Sequence, residues 1–456
     1  MNKKGKDLIL RKTGLAKVSR QIEIVNKLLS NRKRQEVLEF LREHPAFFIE
    51  LVSSWYPLNE KSLNKYEYKW SWGYDGLGKN KPKTGPWFYD LREDTFNGLS
   101  KNTLLPWSIE FIEKHEQNWD WGRNGLSRNE ALPWSIEFIE RFEEKWRWES
   151  YGISRNESLP WSIELIEKFE DKWNWEASGL SGNERLPWSI EIIEKYKDRW
   201  DWGDQRVSHN LSENKSLPWS MELIEKYENK WNWGQYGLSS NESLPWSIEL
   251  IERYKDRWDW GERGISCNKA LPWSEKLIKK YKDRWNWGKG GISRNKALPW
   301  SEALIEKYKD RWNWGDWEDS GMSINEGLPW SEELIEKYKE KWYWGKDGLS
   351  TNNKLPWSKE FIERYKENWH WGGGWGLSSN EELPWSMEFI KKYDDKWDWE
   401  ELGIGGNEKI PWSLGLIKKY KEKLRTLSLL SQKRIWDRVF KKYVDESMIV
   451  EIFEEL

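Results

Sequence analysis

Few residues in this chain have the types and spacing that catalysis requires. The segment GYDGLGKN at 73–80 approaches the phosphate-loop pattern G-x-x-x-x-G-K-[ST], but Asn80 replaces the magnesium-binding hydroxyl and no predicted strand precedes it. The histidines stand in unrelated places, outside any Cys/His/Asp set with metal-ligand spacing. They are His44, His115, His209 and His370. We therefore predict a protein that is not an enzyme, with no catalytic residues, no metal, no cofactor and no small-molecule substrate.

The abundant tryptophans follow a period. The chain has 41 Trp in 456 residues, and a phrase close to LPWSxELIEKYKDRWxWGxxGLSxNE recurs along it. A fixed period of about 20–50 residues indicates a repeat array, in which each unit buries its apolar face against its neighbours. The Pro-Trp tryptophans are 27 residues apart in most units and 28, 30 or 31 apart in the others. They are Trp107, Trp134, Trp161, Trp188, Trp219, Trp246, Trp273, Trp300, Trp330, Trp357, Trp385 and Trp412.

Each unit is predicted to contain a longer and a shorter helix. Ser108 suits an N-cap, Glu110 suits the first turn, and apolar residues recur at helical spacing as far as Trp119, which predicts about three turns. Ser127 and Glu130 then match a capping box at the start of a second helix of one or two turns, which Leu-Pro ends. Because no strand is indicated, the tryptophans that flank these helices are expected to pack between units.

The predicted fold is an all-α, elongated solenoid of about twelve to thirteen two-helix repeats with helical caps. Residues 1–50 form a basic helical segment or cap, with twelve Lys and Arg against six Asp and Glu. Residues 51–106 carry one or more degenerate first repeats, 107–420 the twelve-fold array and 421–456 a C-terminal helical cap. Stacking at about 8–10 Å per helix predicts a rod of roughly 100–130 Å.

Composition restricts the partners. The net charge is only −2, which argues against a protein held mainly by phosphates, although local basic stripes stay possible. Cys267 is the single cysteine, so an intramolecular disulfide framework is excluded and a reducing compartment is favoured. No stretch of about 18 apolar residues occurs. We predict a cytoplasmic protein without a membrane partner.

Two groups of residues are candidates for binding. The first is the middle residue of S-x-N, which varies on a fixed frame as in modular readers, although an unconstrained exposed site would vary too. The second is the pair Trp317 and Trp375, which lie in insertions between W-x-W and LPW and are expected to project from one edge of the array. The variable residues are Arg128, Arg155, Gly182, Glu213, Ser240, Cys267, Arg294, Ile324, Thr351, Ser379 and Gly406.

The phrases LPWS and W-x-W-x-x-L-S-x-N carry a family resemblance. They resemble uncharacterised tryptophan-rich repeat proteins of bacteria and, more distantly, repeats of large DNA viruses that read W-x-W-x-x-L-S-x-N-P. The Asn-Pro step of the viral pattern is replaced by Asn-Glu or Asn-Lys, as at Asn129-Glu130 and Asn268-Lys269. The resemblance covers residues 68 to about 420. It implies a repeat family without a catalytic assignment, so no functional residue is carried over.

The sequence therefore predicts a non-enzymatic scaffold for protein–protein interaction, in a microbial defence or host-interaction setting. One alternative is a nucleic-acid-binding repeat protein that uses the S-x-N position together with the basic N-terminal segment, and whose affinity would fall steeply with salt. A second alternative is glycan binding through exposed tryptophans.

Overall fold

All regular structure in the described part of the chain is helical. The computed structural model describes residues 23–456 except 24, 74–97, 150, 204–208, 373, 400–401, 422 and 425–432. In this part of the chain every regular element is a helix and no strand occurs. The predicted all-α repeat solenoid is confirmed.

Each unit begins with an α-helix capped by the serine of Pro-Trp-Ser. Ser108 Oγ, for example, accepts a hydrogen bond from the Phe111 N–H at 3.1 Å, as the N-cap prediction requires. An earlier α-helix, Glu60–Lys65, is capped by Asn59 and belongs to the degenerate first repeat. The helices of the array are Ile109–Lys114, Ile136–Arg141, Ile163–Lys168, Ile190–Lys195, Met221–Lys226, Ile248–Arg253, Glu275–Lys280, Glu302–Lys307, Glu332–Lys337, Lys359–Arg364, Met387–Lys392 and Leu414–Tyr420.

These α-helices are shorter than the three turns predicted. The first has six residues and ends before His115, after which the chain turns towards Trp119. Trp119 Nε1 donates to the Ile112 carbonyl at 3.0 Å, an acceptor that a continuing helix would have used for its own backbone. The equivalent bond to a residue seven positions earlier recurs in later units, as at Trp146 and Trp258. The first tryptophan of each W-x-W motif thus takes a carbonyl that a longer helix would need, and the helix ends before it.

A single 3-10 turn forms the second helix of most units. The turns are Leu126–Arg128, Ile153–Arg155, Leu180–Gly182, Leu211–Glu213, Ile265–Cys267, Ile292–Arg294, Gly321–Ile324, Leu349–Thr351, Leu377–Ser379 and Ile404–Gly406. The degenerate first repeat has the helix Gly98–Lys101 at this place, and the unit at 238–240 has a plain turn. We call these elements the short helices.

The capping box predicted at Ser127 and Glu130 is wrong. Ser127 is buried inside its short helix, donates to the Trp121 carbonyl at 2.5 Å and accepts from the Arg147 N–H of the next unit at 3.1 Å. Asn129 Nδ2 donates at 3.0 Å to the carbonyl of Ser100 in the preceding unit. The Ser and Asn of L-S-x-N therefore join units and do not cap a helix.

The tryptophans pack between and within units, as predicted. Trp146 is 4% exposed and lies 4.9 Å from Trp121 of the preceding unit and 5.0 Å from Trp134 of its own unit, measured between ring centroids. Most indole N–H groups of the array donate to backbone carbonyls, as Trp121 does to Glu116 and Trp134 to Asn129. The aromatic contacts continue from unit to unit along the array.

The array is curved because its two sides are joined at different spacings. Short helices of neighbouring units approach within 8 Å between Cα atoms, and neighbouring α-helices of the array contact each other less extensively. Long side chains bridge the α-helices, as Lys168 to Glu140 at 2.8 Å and Lys280 to Glu252 at 2.6 Å. The short helices consequently lie on the inner side of the curve and the α-helices on the outer side.

The two ends of the chain meet, which differs from the elongated solenoid with two separate caps. The N-terminal helices 25–43 and Pro45–Trp55 pack against a C-terminal segment that includes Glu446–Glu455, preceded by α-helical Lys433–Ile435 and π-helical Trp436–Phe440. We call residues 25–73 and 433–456 the closing junction.

Buried phenylalanines and exposed ion pairs hold the closing junction. The Phe40 and Phe440 rings stack with centroids 6.0 Å apart, and Phe453 packs 4.8 Å from Trp70. Arg42 pairs with glutamates of Glu446–Glu455 on the outside. These contacts join residues some 400 positions apart, which no periodic pattern indicates.

The closing junction is also bonded to both ends of the array. Asn102 Nδ2 donates to the Ser53 carbonyl at 2.9 Å, which ties the first unit to the N-terminal helices. Arg438 donates to the Ile410 carbonyl at 3.0 Å and Arg434 pairs with a glutamate at 3.0 Å, which ties the last unit to the C-terminal segment. Contacts between neighbours therefore run round a closed array.

Candidate functional site

The histidines do not come together. His115 is buried, with Nδ1 3.0 Å from Glu67 Oε1, and fills the place that Tyr or Phe takes in other units. His44 precedes the second N-terminal helix, His209 precedes a short helix and His370 is the middle residue of a W-x-W motif. Within the described residues, no group of three or more His, Cys, Asp or Glu is placed to hold a metal ion. Residues 74–80, most of the phosphate-loop-like segment, lie outside the described part.

In most units the second tryptophan of W-x-W is covered by a cation from the next unit. The Arg199 guanidinium lies 4.7 Å from the Trp175 ring centroid, and Arg257 lies 4.9 Å from Trp233. Such a cation–π contact occupies the ring face that a sugar or a base would need. Lysine or arginine covers Trp202, Trp260, Trp287, Trp314, Trp371 and Trp399 in the same way.

The variable S-x-N residues lie side by side on the inner side of the array, because successive short helices are in contact. Most are half-buried, and Arg294 is exposed. Ser240 and Thr351 each donate to the carbonyl three residues earlier at 3.0 Å, and Cys267 Sγ contacts the Gly264 carbonyl at 3.3 Å. Burial raises the pKa of the Cys267 thiol. In these units the variable side chain bonds its own short helix.

Other members of the set have different partners. Glu213 Oε2 accepts from the His209 N–H at 2.6 Å, whereas Ser379 Oγ, like Ser240 and Thr351, donates to the carbonyl three residues earlier, that of Gly376, at 3.0 Å. Arg294 pairs at 3.3 Å with Asp319, whose side chain is only 4% exposed. Ile324 is half-buried, in the short helix that contacts the short helix of Arg294.

Sequence reasoning missed Lys101, which occupies the same position in the degenerate first repeat. It follows Ser100 in the phrase LSKN, and its helix contacts the short helix that contains Arg128. The LSxN phrase itself was the signal that could have found it. Lys101, Arg128 and Arg155 thus occupy consecutive positions of the inner side.

The insertion at 315–321 places Trp317 on a turn that hydrogen bonds hold in place. Asp316 Oδ1 accepts the backbone N–H groups of Glu318 and Asp319 at 2.8 and 3.0 Å, and Asp319 anchors the loop through Asn313 at 2.6 Å. Trp317 itself is 81% exposed. Its exposure agrees with the position predicted for it at an edge of the array.

Trp375 lies in the other insertion and is joined to its neighbours on both sides. Its carbonyl accepts the Asp347 N–H at 2.8 Å, and the residue is 47% exposed. Gly374 lies so close to Leu402 of the next unit that a Cβ on it would be 2.4 Å from the Leu402 Cβ. Leu402 is 61% exposed and was not predicted from the sequence. Trp375 and Leu402 are therefore exposed apolar residues of adjacent units at the same edge of the array, with Lys346 Nζ 6.0 Å from the Trp375 ring centroid.

Open grooves separate adjacent units at the loop edge, by which we mean the residues between W-x-W and L-S-x-N. One groove, of about 510 Å³, is lined by Trp121, Arg147 and Glu149 among others. A groove of about 640 Å³ occurs at the equivalent place beside Trp233 and Glu262. Each groove combines an indole with charged side chains.

Comparison of the chain with protein-family models finds no match, and comparisons with curated proteins and with solved structures find none either. Among the helices that the structure describes, none has the length and apolar character needed to cross a bilayer.

Proposed function

We propose that the protein is a non-enzymatic scaffold that binds a protein partner at its loop edge, through Trp317, Trp375 and Leu402. The observation that carries the proposal is the contrast among the tryptophans. The repeated ones are used in packing, whereas Trp317 and Trp375 are exposed at 81% and 47%. Exposed aromatic anchors of this kind dominate the binding energy of protein interfaces.

The neighbours of Trp317 favour a protein over a nucleic acid at this edge. Asp316 and Glu318 flank the ring, and their carboxylates would repel a phosphate backbone. Glycan binding by the repeated tryptophans is disfavoured because cations cover the second ring of W-x-W in most units, as Arg257 covers Trp233. The grooves at the loop edge offer places for side chains of a protein partner.

A scaffold role without catalysis also agrees with the separation of the histidines in the described structure. We place this role in a reducing compartment, the cytoplasm, because the chain has one cysteine. In this proposal, the array supplies a rigid frame and the insertions supply specificity.

The test is affinity capture from the source cells with immobilised wild-type protein and a Trp317→Ala/Trp375→Ala variant. We expect a protein that the wild type retains and the double variant loses, with affinity lower by at least about tenfold. Tyr68→Ala is the matched control, since Tyr68 is an exposed aromatic residue in the closing junction. Circular dichroism checks that each variant folds.

Equal retention of the same proteins by the double variant would contradict the proposal. Retention that depends on nuclease-sensitive material would favour the nucleic-acid alternative.

A further inference from the structure

Three consecutive units carry a cation at the S-x-N position. Lys101, Arg128 and Arg155 are half-buried, and the short helices that carry them contact one another in sequence. Together they form a positive column on the inner side of the array, directly after the closing junction. We call these three residues the basic column.

The cations of the basic column form no direct ion pair with a described carboxylate. Burial, followed by the charge of Arg128, lowers the pKa of Lys101, and burial also lowers the pKa of Arg155. Asp120 lies close enough to raise the pKa of Lys101 in part, and Glu157 and Glu184 that of Arg155, but burial outweighs these carboxylates. Arg155 Nη1 is buried without a hydrogen-bond partner. A buried charged donor left in this state is costly, so an arrangement in which the Arg155 guanidinium turns to an acceptor supplied by a ligand would be favoured.

The protein itself shows what satisfies an arginine at this position. Arg294 occupies the same place in a later unit, and the insertion there supplies the carboxylate of Asp319 at 3.3 Å. That carboxylate is almost completely buried, although burying a charge is unfavourable without a partner. The chemistry that fits an S-x-N arginine is therefore a carboxylate.

The repeat frame does not need a cation here. Ser240 and Thr351 fill the position in other units by bonding their own short helices. Gly182, in the unit after Arg155, leaves space for the guanidinium, because a Cβ there would lie 2.2 Å from Arg155 Nη1. Gly182 therefore accommodates the buried Nη1 atom, while the Arg155 residue as a whole stays half-buried.

We propose that the basic column binds an extended acidic segment of a protein, with a carboxylate at every second residue. Alternate side chains of an extended chain share one face and lie roughly 6.6–6.8 Å apart. Short helices of neighbouring units come within 8 Å between Cα atoms, so successive carboxylates can meet successive cations. The site is separate from the Trp317 and Trp375 surface and does not depend on it.

The test measures binding of a labelled peptide that alternates glutamate and threonine. Two comparison probes are a peptide of the same composition with its glutamates in one block, and a single-stranded oligothymidine of equal charge. The test variant is Lys101→Ser/Arg128→Ser/Arg155→Ser, because serine stands at this position in other units. The control variant is Lys276→Ser/Lys279→Ser/Lys289→Ser, which removes the same charge from exposed residues elsewhere.

We expect the wild type and the control variant to bind the alternating peptide equally, and the test variant to bind at least about tenfold more weakly. On the wild type alone, the alternating peptide should bind more tightly than the block peptide. Equal weakening in both variants, no preference between the peptides, or tighter binding of oligothymidine would each overturn the proposal. The comparison of probes on the wild type holds even if the test variant fails to fold.

Discussion

The joints between units and the closing junction complete the same array by different chemistry. At each joint a buried serine and asparagine bond the backbone of neighbouring units, as Ser127 and Asn129 do, and tryptophans fill the space between them. At the closing junction the chain uses buried Phe40, Phe440 and Phe453, with ion pairs on the outside.

The difference follows from how much of each contact repeats. A joint is specified by one phrase that occurs in every unit, so a directional set of polar bonds fixes the same geometry many times. The closing junction occurs once, between segments without internal repetition, and non-directional apolar burial suffices there. Regular polar bonds fix the contacts of each joint, and apolar burial holds the ends together.

Removing residues 433–456 is expected to have the largest effect, because it takes away one side of the closing junction. The truncation exposes Phe40 and Phe48 but leaves each joint intact, because joint contacts run only between neighbours. We expect the helical circular dichroism of the array to persist and the radius of gyration from small-angle scattering to increase. Loss of helical signal throughout the chain would mean that the joints depend on closure.

Trp258→Ala tests the aromatic part of a joint. Trp258 is 4% exposed, and its ring lies 4.9 Å from both Trp233 and Trp246. We expect the free energy of unfolding to fall by about 3–5 kcal/mol in denaturant titrations. Trp317→Ala, at an exposed position, should change it by no more than about 0.5 kcal/mol. A loss at Trp258 as small as at Trp317 would refute the packing role.

Asn268→Ala tests the polar part of a joint. Asn268 Nδ2 donates to the Ser239 and Asn241 carbonyls at 3.1 and 3.2 Å in a buried site. Its removal leaves these carbonyls without that donor, and we expect a loss of about 1–3 kcal/mol of unfolding free energy. Asn353→Ala is the exposed control. No difference between the two variants would show that water replaces the bond at no cost.

Acidification should weaken the ion pairs between the α-helices, with a smaller effect on stability than the two substitutions above. Hydrogen bonding from Lys280, then from Tyr281, holds the pKa of Glu252 at about 2. Because this pKa is depressed in the folded state, its contribution is present above the ordinary carboxyl pKa of about 4.3 and is lost as pH falls towards 2. The same direction applies to Glu194, Glu306 and Glu363.

The measurement is the urea midpoint between pH 6 and 2 for wild type and a variant with Gln at those four positions. The wild type should lose more stability than the variant over the lower part of this range, since the variant has no carboxylates to protonate there. Parallel curves would assign the acid sensitivity to other groups, such as those of the closing junction.

Local and periodic features were predictable from the sequence. The number of units, the serine N-caps such as Ser108 and the packing of Trp146 follow from spacing alone. The role of Ser127 was not predictable, because the sequence S-x-x-E matches a capping box but its serine bonds the next unit instead. The predicted helix length was wrong for a related reason. The Trp119 indole N–H bonds to a carbonyl of the preceding helix, which a longer helix would have used.

Non-periodic features needed the structure. Nothing in the pattern pairs Phe40 with Phe440, so the closure of the array was not foreseen. For the candidate sites, exposure of Trp317 and Trp375 followed from the position of the insertions. The difference between Arg294, which has Asp319, and Arg155, which has no such partner, depends on a loop fold that spacing does not reveal.

Closure also restricts how such a chain can evolve. A linear array can gain or lose one unit by recombination and simply change its length. In a closed array, the bend at each joint multiplied by the number of joints must bring the ends together, so one extra unit would require every other joint to adjust. Copy number is then held constant, and change is confined to loop insertions and the single variable side chain of each unit.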